Sequence, residues 1–261
     1  MEEREGNYLK NVKKGLKVEI LTKAKKPVIG IVEDIAPGKE VNEQGIMVML
    51  KSREVGRVKR IFSYKPQSEI QTLIKKGEGN KLEFKSDVLW SLNKTEQEIK
   101  DSKSYDLHTH RHKASKVIIA KSIAALLNSE GGNLVIGVKE KKDSSDKFDV
   151  IGIKEDLDKL KSSGKEASKD SYKRMLIDDI IRPYFPPRIY NQLNQYLEIL
   201  FEELENENNS SLLCNIKVKR SSSKIFLNLE GRKIFMIRTE TETRQIVDEE
   251  LVDYCMRRFR E

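Results

Sequence analysis

The chain has 261 residues, 37% hydrophobic and 35% charged, which suffices for a core beneath a densely charged surface and for either one large domain or, as expected here, two modest ones. Its 50 Lys/Arg against 42 Asp/Glu give a formal net charge of +8, which admits polyanionic partners and says nothing about fold. Two cysteines without CxxC spacing argue against a disulfide framework or a zinc site. No apolar run reaches the roughly 18 residues of a membrane span, and Met1-Glu2-Glu3-Arg4-Glu5 lacks a signal-peptide core, so a cytoplasmic protein with no membrane partner is expected.

Residues 1–65 hold 15 Lys/Arg against 9 Asp/Glu, so generic nucleic-acid affinity should lean on this part. Within it, β-type runs at 17–21, 28–32, 45–50 and 55–61 alternate apolar with polar and are separated by Lys/Pro, Pro37-Gly38 and Ser52-Arg53-Glu54 breaks. Four or five short strands in this span predict a small SH3-like β-barrel. The segments Asn11-Val12-Lys13-Lys14-Gly15, Gly30-Ile31-Val32-Glu33-Asp34-Ile35 and Gly56-Arg57-Val58-Lys59-Arg60-Ile61 resemble the YwbE-like small domain over residues 8–62. That resemblance implies a nucleic-acid-binding barrel. Arg57, Lys59 and Arg60, with Lys13 and Lys14, are its candidate RNA-binding residues, the alternative being a solvated basic face.

Residues 63–76 read as a connector with a helical turn near Ile70–Ile74. The stretch Gly77-Glu78-Gly79-Asn80-Lys81-Leu82-Glu83-Phe84-Lys85 then gathers two carboxylates and an ammonium on a glycine-bent loop entering a strand. Such carboxylates need a cation, a proton or a metal if they converge; otherwise they are a turn acid and a strand acid paired with Lys81 or Lys85. Residues 91–113 are polar and aperiodic. On a strand His108, His110 and His112 would share one face and suit a transition metal or an RNA backbone.

Residues 115–128 predict the clearest helix, capped by Ser115 and ended by Gly131-Gly132, followed by a buried central strand through Val138. A polar turn leads to a return strand at 150–153. Residues 154–169 read as a mobile, Lys-rich helix-and-loop insert, and 172–181 as a helix stopped by Pro183. A hairpin is favoured across the Asn206–Ser210 turn, with two strands at 225–227 and 233–238 beyond it. The last helix, from about 248 to 260, carries Val252, Cys255, Met256 and Phe259 on one face.

Four of these features together resemble a Schlafen-type AlbA_2 domain over residues 76–260: the acidic opening from Glu78 to Glu83-Phe84-Lys85; Asn128-x-x-Gly131-Gly132 with the strand ending Ile136-Gly137-Val138; Ile151-Gly152-Ile153; and Phe235-Met236-Ile237-Arg238-Thr239 running on to Thr243-Arg244. The expected fold class is α+β, a small SH3-like barrel (1–65) followed by a mixed α/β AlbA_2-type domain (66–261). The resemblance implies a metal-dependent endoribonuclease on structured RNA, tRNA first, with Mg²⁺ or Mn²⁺ held by Glu78, Glu83 and a third acid. Lys139 stands where an aspartate is expected, which moves the third acid to Glu140, with Asp143 behind it. Lys85, beside Glu78, Glu83 and Glu140, would hold the scissile phosphate or steady the transition state as a point charge, while Arg238 and Arg244 would contact RNA or form structural ion pairs. A single copy of the domain suggests a homodimer. The alternatives are a non-catalytic RNA- or DNA-binding or regulatory protein that keeps the fold, and a protein-interaction adaptor.

Overall fold

Period-two alternation turns the N-terminal runs into strands whose inward residues meet at one axis. In a computed structural model, which describes residues 5–62, 69–141, 148–205 and 210–260, the chain forms two compact units, Met1–Gln67 and Ser68–Glu261. In the first, β1 (Lys17–Thr22), β2 (Pro27–Ile35), β3 (Met47–Leu50) and β4 (Val55–Ile61) close into an antiparallel barrel, with β4 pairing back on β1. Val18, Ile20, Val32, Val48, Leu50 and Val58 fill its interior together with Val12 and Ile46. Each such side chain contributes about 1.5–3 kcal/mol on burial. Gly45, at φ +97°, faces the Val58 carbonyl so closely that an added Cβ would lie 2.0 Å from it. Only glycine fits there, and the Gln44–Gly45 carbonyls are thereby laid beside β4.

The second unit begins with α1 (Glu69–Lys76), which Gly77 ends at φ +79°, and β5 (Leu82–Lys85) follows. The aperiodic stretch after it is not irregular as expected. Two short helices, α2 (Glu96–Asp101) and α3 (Tyr105–His110), are set by their caps rather than by periodicity: Thr95 and Glu98 form a reciprocal capping box, and the Ser104 hydroxyl accepts the Leu107 N–H. The central helix α4 (Ala114–Asn128) is almost wholly buried. Ser115 does not cap it; its hydroxyl lies 2.7 Å from that of Ser91 inside the protein.

The chain returns through Gly131 and Gly132 into β6 (Gly132–Ile136). Gly137, at φ +102°, then turns it out of the sheet, so the expected continuous strand breaks there and β7 (Val138–Glu140) pairs separately with β8 (Phe148–Val150). The helices α5 (Lys154–Ser162) and α6 (Lys169–Leu176), a π-helical turn at Ile177–Ile181, and the short α7 (Arg182–Tyr184), α8 (Pro187–Asn191) and α9 (Leu193–Tyr196) lead to the long hairpin of β9 (Leu197–Glu205) and β10 (Ser210–Val218). Residues 206–209 of its expected turn lie outside the described residues. Two strands are expected beyond β10, but the chain makes two small hairpins, because Glu230 and Gly231 take positive φ between β11 (Leu227–Leu229) and β12 (Arg232–Ile234). The other pairs β13 (Met236–Arg238) with β14 (Thr243–Gln245), and α10 (Asp248–Arg258) follows.

The sheet runs β5-β6-β10-β9, with β5 and β6 parallel and the other pairs antiparallel. Leu134, Ile136, Cys214 and Ile216 meet α4 on one face. Leu82, Phe84, Val135 and Leu213 meet Ile70 of α1 and the β7–β8 hairpin on the other. Glu83 and Lys85 alternate with Leu82 and Phe84, so they point to the α4 side at the edge strand. The expected apolar stripe of α10 is split: Leu251, Cys255 and Phe259 pack beside Phe235, whereas Val252 and Met256 are each 56% exposed.

Candidate functional site

The opening motif is held by its own backbone and one distant arginine. Glu78, which follows the left-handed Gly77, turns its carboxylate back so that Oε1 accepts the Phe84 N–H at 2.7 Å. Glu78 is thereby folded back onto the backbone of β5, at the residue that follows Glu83. Glu83 is only 5% exposed, and its carboxylate forms ion pairs with Lys85 through Oε1 and with Arg238 of β13 through Oε2. The Arg238 side chain is 2% exposed. Its Nε donates to the Gly79 carbonyl at 3.0 Å, Nη2 to the Leu82 carbonyl at 3.3 Å, and Nη1 reaches Thr243 Oγ1 at 3.4 Å. Lys85 Nζ also donates to the Phe84 carbonyl at 3.1 Å. A buried carboxylate needs a compensating cation with good geometry, and here the chain supplies two.

These residues do not fit a divalent metal. A metal on Glu83 would have to displace a guanidinium that is hydrogen-bonded through all three of its nitrogens, and the Glu78 oxygen that faces Phe84 is already an acceptor. Glu140 stands exposed at the end of β7, cross-strand from Phe148. Asp143 lies outside the described residues. Among the described residues no group of three His, Cys, Asp or Glu comes together to hold a metal.

The motif's other fixed residues hold the frame. The buried Asn128 side chain donates to the carbonyls of Ile225 (2.8 Å) and Met236 (3.0 Å) and accepts the Ile225 N–H (2.9 Å), so it ties the end of α4 to the segment leading into β13. Ser129 Oγ accepts the Arg238 N–H at 2.9 Å. An added Cβ on Gly132 would lie 2.2 Å from the Lys81 carbonyl oxygen. The Gly-Gly pair is thus a close crossing of backbones beside β5. Arg238 forms a structural ion pair, one of the two roles expected of it; what sequence reasoning missed is the partner, because the pairing with Glu83 spans 155 residues.

The remaining candidates separate. Arg244 is held by Glu250, which raises the Arg244 pKa and lowers that of Glu250. The three histidines lie on α3 and the 3-10 turn Arg111–Lys113 rather than on a strand, and their rings have different partners. His108 Nε2 is 2.5 Å from the Ser102 carbonyl, His110 Nδ1 3.2 Å from Glu230, and His112 Nδ1 3.2 Å from the Ser91 carbonyl. They do not converge.

On the barrel, Arg57 Nη1 donates to the Gly45 carbonyl at 3.0 Å and Lys59 Nζ to the Gln44 carbonyl at 2.9 Å. With Lys23 they line a groove of about 1040 Å³ that also includes Glu54 and the exposed Val55. Neighbouring Arg60 and Lys17 sit 5.4 and 6.0 Å from the Phe62 ring, and Lys14 is paired with Asp34 at 2.7 Å. Two of the groove's cations are thus fixed by backbone carbonyls, which leave their charge uncancelled.

Comparison with known families places these features. Residues 5–61 match the family described as "Uncharacterized conserved protein (DUF2196)", which covers the barrel. Residues 78–247 match the family described as "Schlafen, AlbA_2". No curated protein matched the chain. Among the described residues no helix is long and apolar enough to cross a membrane. Membership in the second family supports a nuclease or nucleic-acid-binding role. Because its match begins at Glu78, runs beyond Arg244 and spans well over half of the chain, the protein belongs to the Schlafen AlbA_2 family.

Proposed function

We propose that this protein binds structured RNA, with tRNA the first ligand to try, and that it holds this RNA without a metal-dependent cut. The observation that carries the reading is the Glu83–Arg238 pair: the acid that a hydrolytic centre would need is buried and neutralised by the protein's own cations. Family membership and the net charge of +8 support a nucleic-acid ligand. The barrel groove, with Lys23, Arg57 and Lys59, offers fixed positive charge to a phosphate backbone, and its lining carries no aromatic ring on which a base would stack. A helical RNA presents its phosphates and not its base faces, which suits such a groove.

The test is to titrate labelled tRNA with the full-length protein at several salt concentrations and then to incubate the complex with Mg²⁺ or Mn²⁺. Saturable, salt-weakened binding of RNA that stays intact is expected. Discrete fragments from the wild type that disappear in Glu83→Gln would overturn the reading in favour of a metal-dependent endoribonuclease, to which the convergence of Glu78 on β5 lends its one support. Absence of binding at low salt would refute both.

A further inference from the structure

The second unit carries a basic and aromatic cavity away from the opening motif in sequence. Pro183, Pro186 and Pro187 break the chain after the π-helical turn into short pieces that run along the surface. Between this segment and the strands around Phe226 lies a cavity of about 600 Å³. That volume falls within the usual range of about 300–1,000 Å³ for ligand sites. Its lining includes the rings of Tyr190 and Phe226 and four cations, Arg182, Arg188, Lys224 and Lys233, and contains no carboxylate.

The cavity is built and not merely exposed. Phe226 packs edge-on against the buried Phe235, with ring centroids 5.1 Å apart, so its position is fixed by the core of the β13–α10 region. Arg188 Nη2 donates to the Lys224 carbonyl at 2.7 Å and ties the two walls together. The Arg182 guanidinium lies 5.8 Å from the Tyr190 ring centroid and pairs with Asp178 at 3.3 Å, one turn back. Among the described residues no carboxylate pairs with Lys224 or Lys233. Arg182 is offset by Asp178, but Arg188, Lys224 and Lys233 around the same hollow repel one another unless an anion enters.

We propose that this cavity takes one unpaired nucleotide of a polynucleotide chain, its base against Tyr190 and Phe226 and its flanking phosphates on Arg188, Lys224 and Lys233. The charge alone would accept any polyanion, including an acidic peptide. The two rings decide in favour of a base, because an aromatic face binds another π-face and a carboxylate chain has none to offer. Each base stack is typically worth about 1–3 kcal/mol. A base inside a duplex is already stacked on its neighbours, so the nucleotide must be unpaired. The inference rests on the nucleic-acid reading above and adds to it a second contact, of different chemistry from the barrel groove.

The experiment uses full-length protein and three probes: a fluorescent single-stranded RNA of about twelve nucleotides, a blunt RNA duplex of the same sequence, and tRNA. Tyr190→Ala is expected to weaken single-strand binding by about 5- to 150-fold, as loss of one stack implies, and to leave duplex binding within about 2-fold. Lys224→Glu, at an exposed position where folding is not at stake, is expected to weaken single-strand binding as well. The proposal is overturned if both variants, folded by circular dichroism, bind the single strand within about 2-fold of wild type, and this leaves the structured-RNA reading standing if tRNA still binds. It is likewise overturned if polyglutamate displaces the oligonucleotide as well as polyuridylate does at equal charge. Tyr190-dependent binding of the single strand by a protein that ignores tRNA would sustain the proposal and refute the structured-RNA reading.

Discussion

Glu83 shows how one residue can be legible in type and illegible in role. The spacing Glu78-x4-Glu83-Phe84-Lys85 marks it out in the sequence, but its partner enters from β13, and nothing in local pattern joins residues 83 and 238. Removing one member of a buried ion pair leaves an uncompensated charge, typically at about 3–5 kcal/mol, whereas replacing both by apolar groups can be nearly neutral. Arg238→Met leaves Glu83 with Lys85 alone and takes the Arg238 donors from the Gly79 and Leu82 carbonyls, so it is expected to lower unfolding stability in chemical denaturation by up to about that amount. The double variant Arg238→Met/Glu83→Leu should recover a large part of the loss; equal loss in both would mean that the pair is not what holds the loop. Asp156 was hidden differently. It sits in a Lys-rich stretch that reads as a mobile insert, yet it is buried and accepts the Val88 and Leu89 N–H groups and the Tyr172 hydroxyl. Burial raises its pKa, against the pull of those donors. In Asp156→Asn an amide N–H₂ would face a backbone N–H, for an expected loss of about 1–3 kcal/mol by thermal or chemical denaturation.

Elements were readable where periodicity set them and unreadable where caps or close crossings did. The barrel strands, α4 and the β9–β10 hairpin follow from alternation or helical spacing. The helix α2 has little apolar periodicity and owes its ends to Thr95-x-x-Glu98, a signal present in the sequence that the absence of periodicity masks. The Glu98 carboxyl is lowered from 4.5 to about 2, first by Lys94 and then by the Thr95 N–H. A depressed acid contributes stability that is fully present above its unfolded pKa and lost as pH falls through the folded one. The support that Glu98 gives α2 is accordingly expected to persist at pH 5 and to fade between about 4.5 and about 2. Glu98→Gln should flatten that limb of the stability profile, and an unchanged acid limb would show that the cap does not act through charge. Where two backbones cross, the requirement is steric: Gly132, at φ +139° with the Lys81 carbonyl against it, cannot accept a Cβ without moving β5 or β6. Gly132→Ala is expected to destabilise by more than about 1 kcal/mol and to loosen the Glu83 site, seen as faster hydrogen exchange of the Phe84 amide. The same substitution at Gly79, where an added Cβ would meet nothing within 4 Å, should be mild.

At the scale of the whole molecule the charge is unevenly distributed, and this divides the expected binding into two kinds of contact. The barrel segment, 1–65, holds the larger surplus of Lys/Arg, which the sequence already showed; the cavity at Tyr190 and Lys224 was not legible, because its cations come from separate segments brought together only by the fold. Phosphate contacts release counterions, so each one adds about 0.7–0.9 to the slope of log affinity against log salt, whereas base stacking adds little. If the barrel groove tracks a duplex, Arg57→Glu/Lys59→Glu should lower the salt slope for blunt duplex RNA by about 2, one for each lost phosphate contact. Tyr190→Ala should weaken the single strand at every salt concentration and leave its slope unchanged, since the lost partner is a base. Lys224→Glu should lower the single-strand slope by about 1. Slopes that respond identically to the barrel and cavity substitutions, for duplex and single strand alike, would mean that both surfaces read charge only and that the division into a backbone contact and a base contact is wrong.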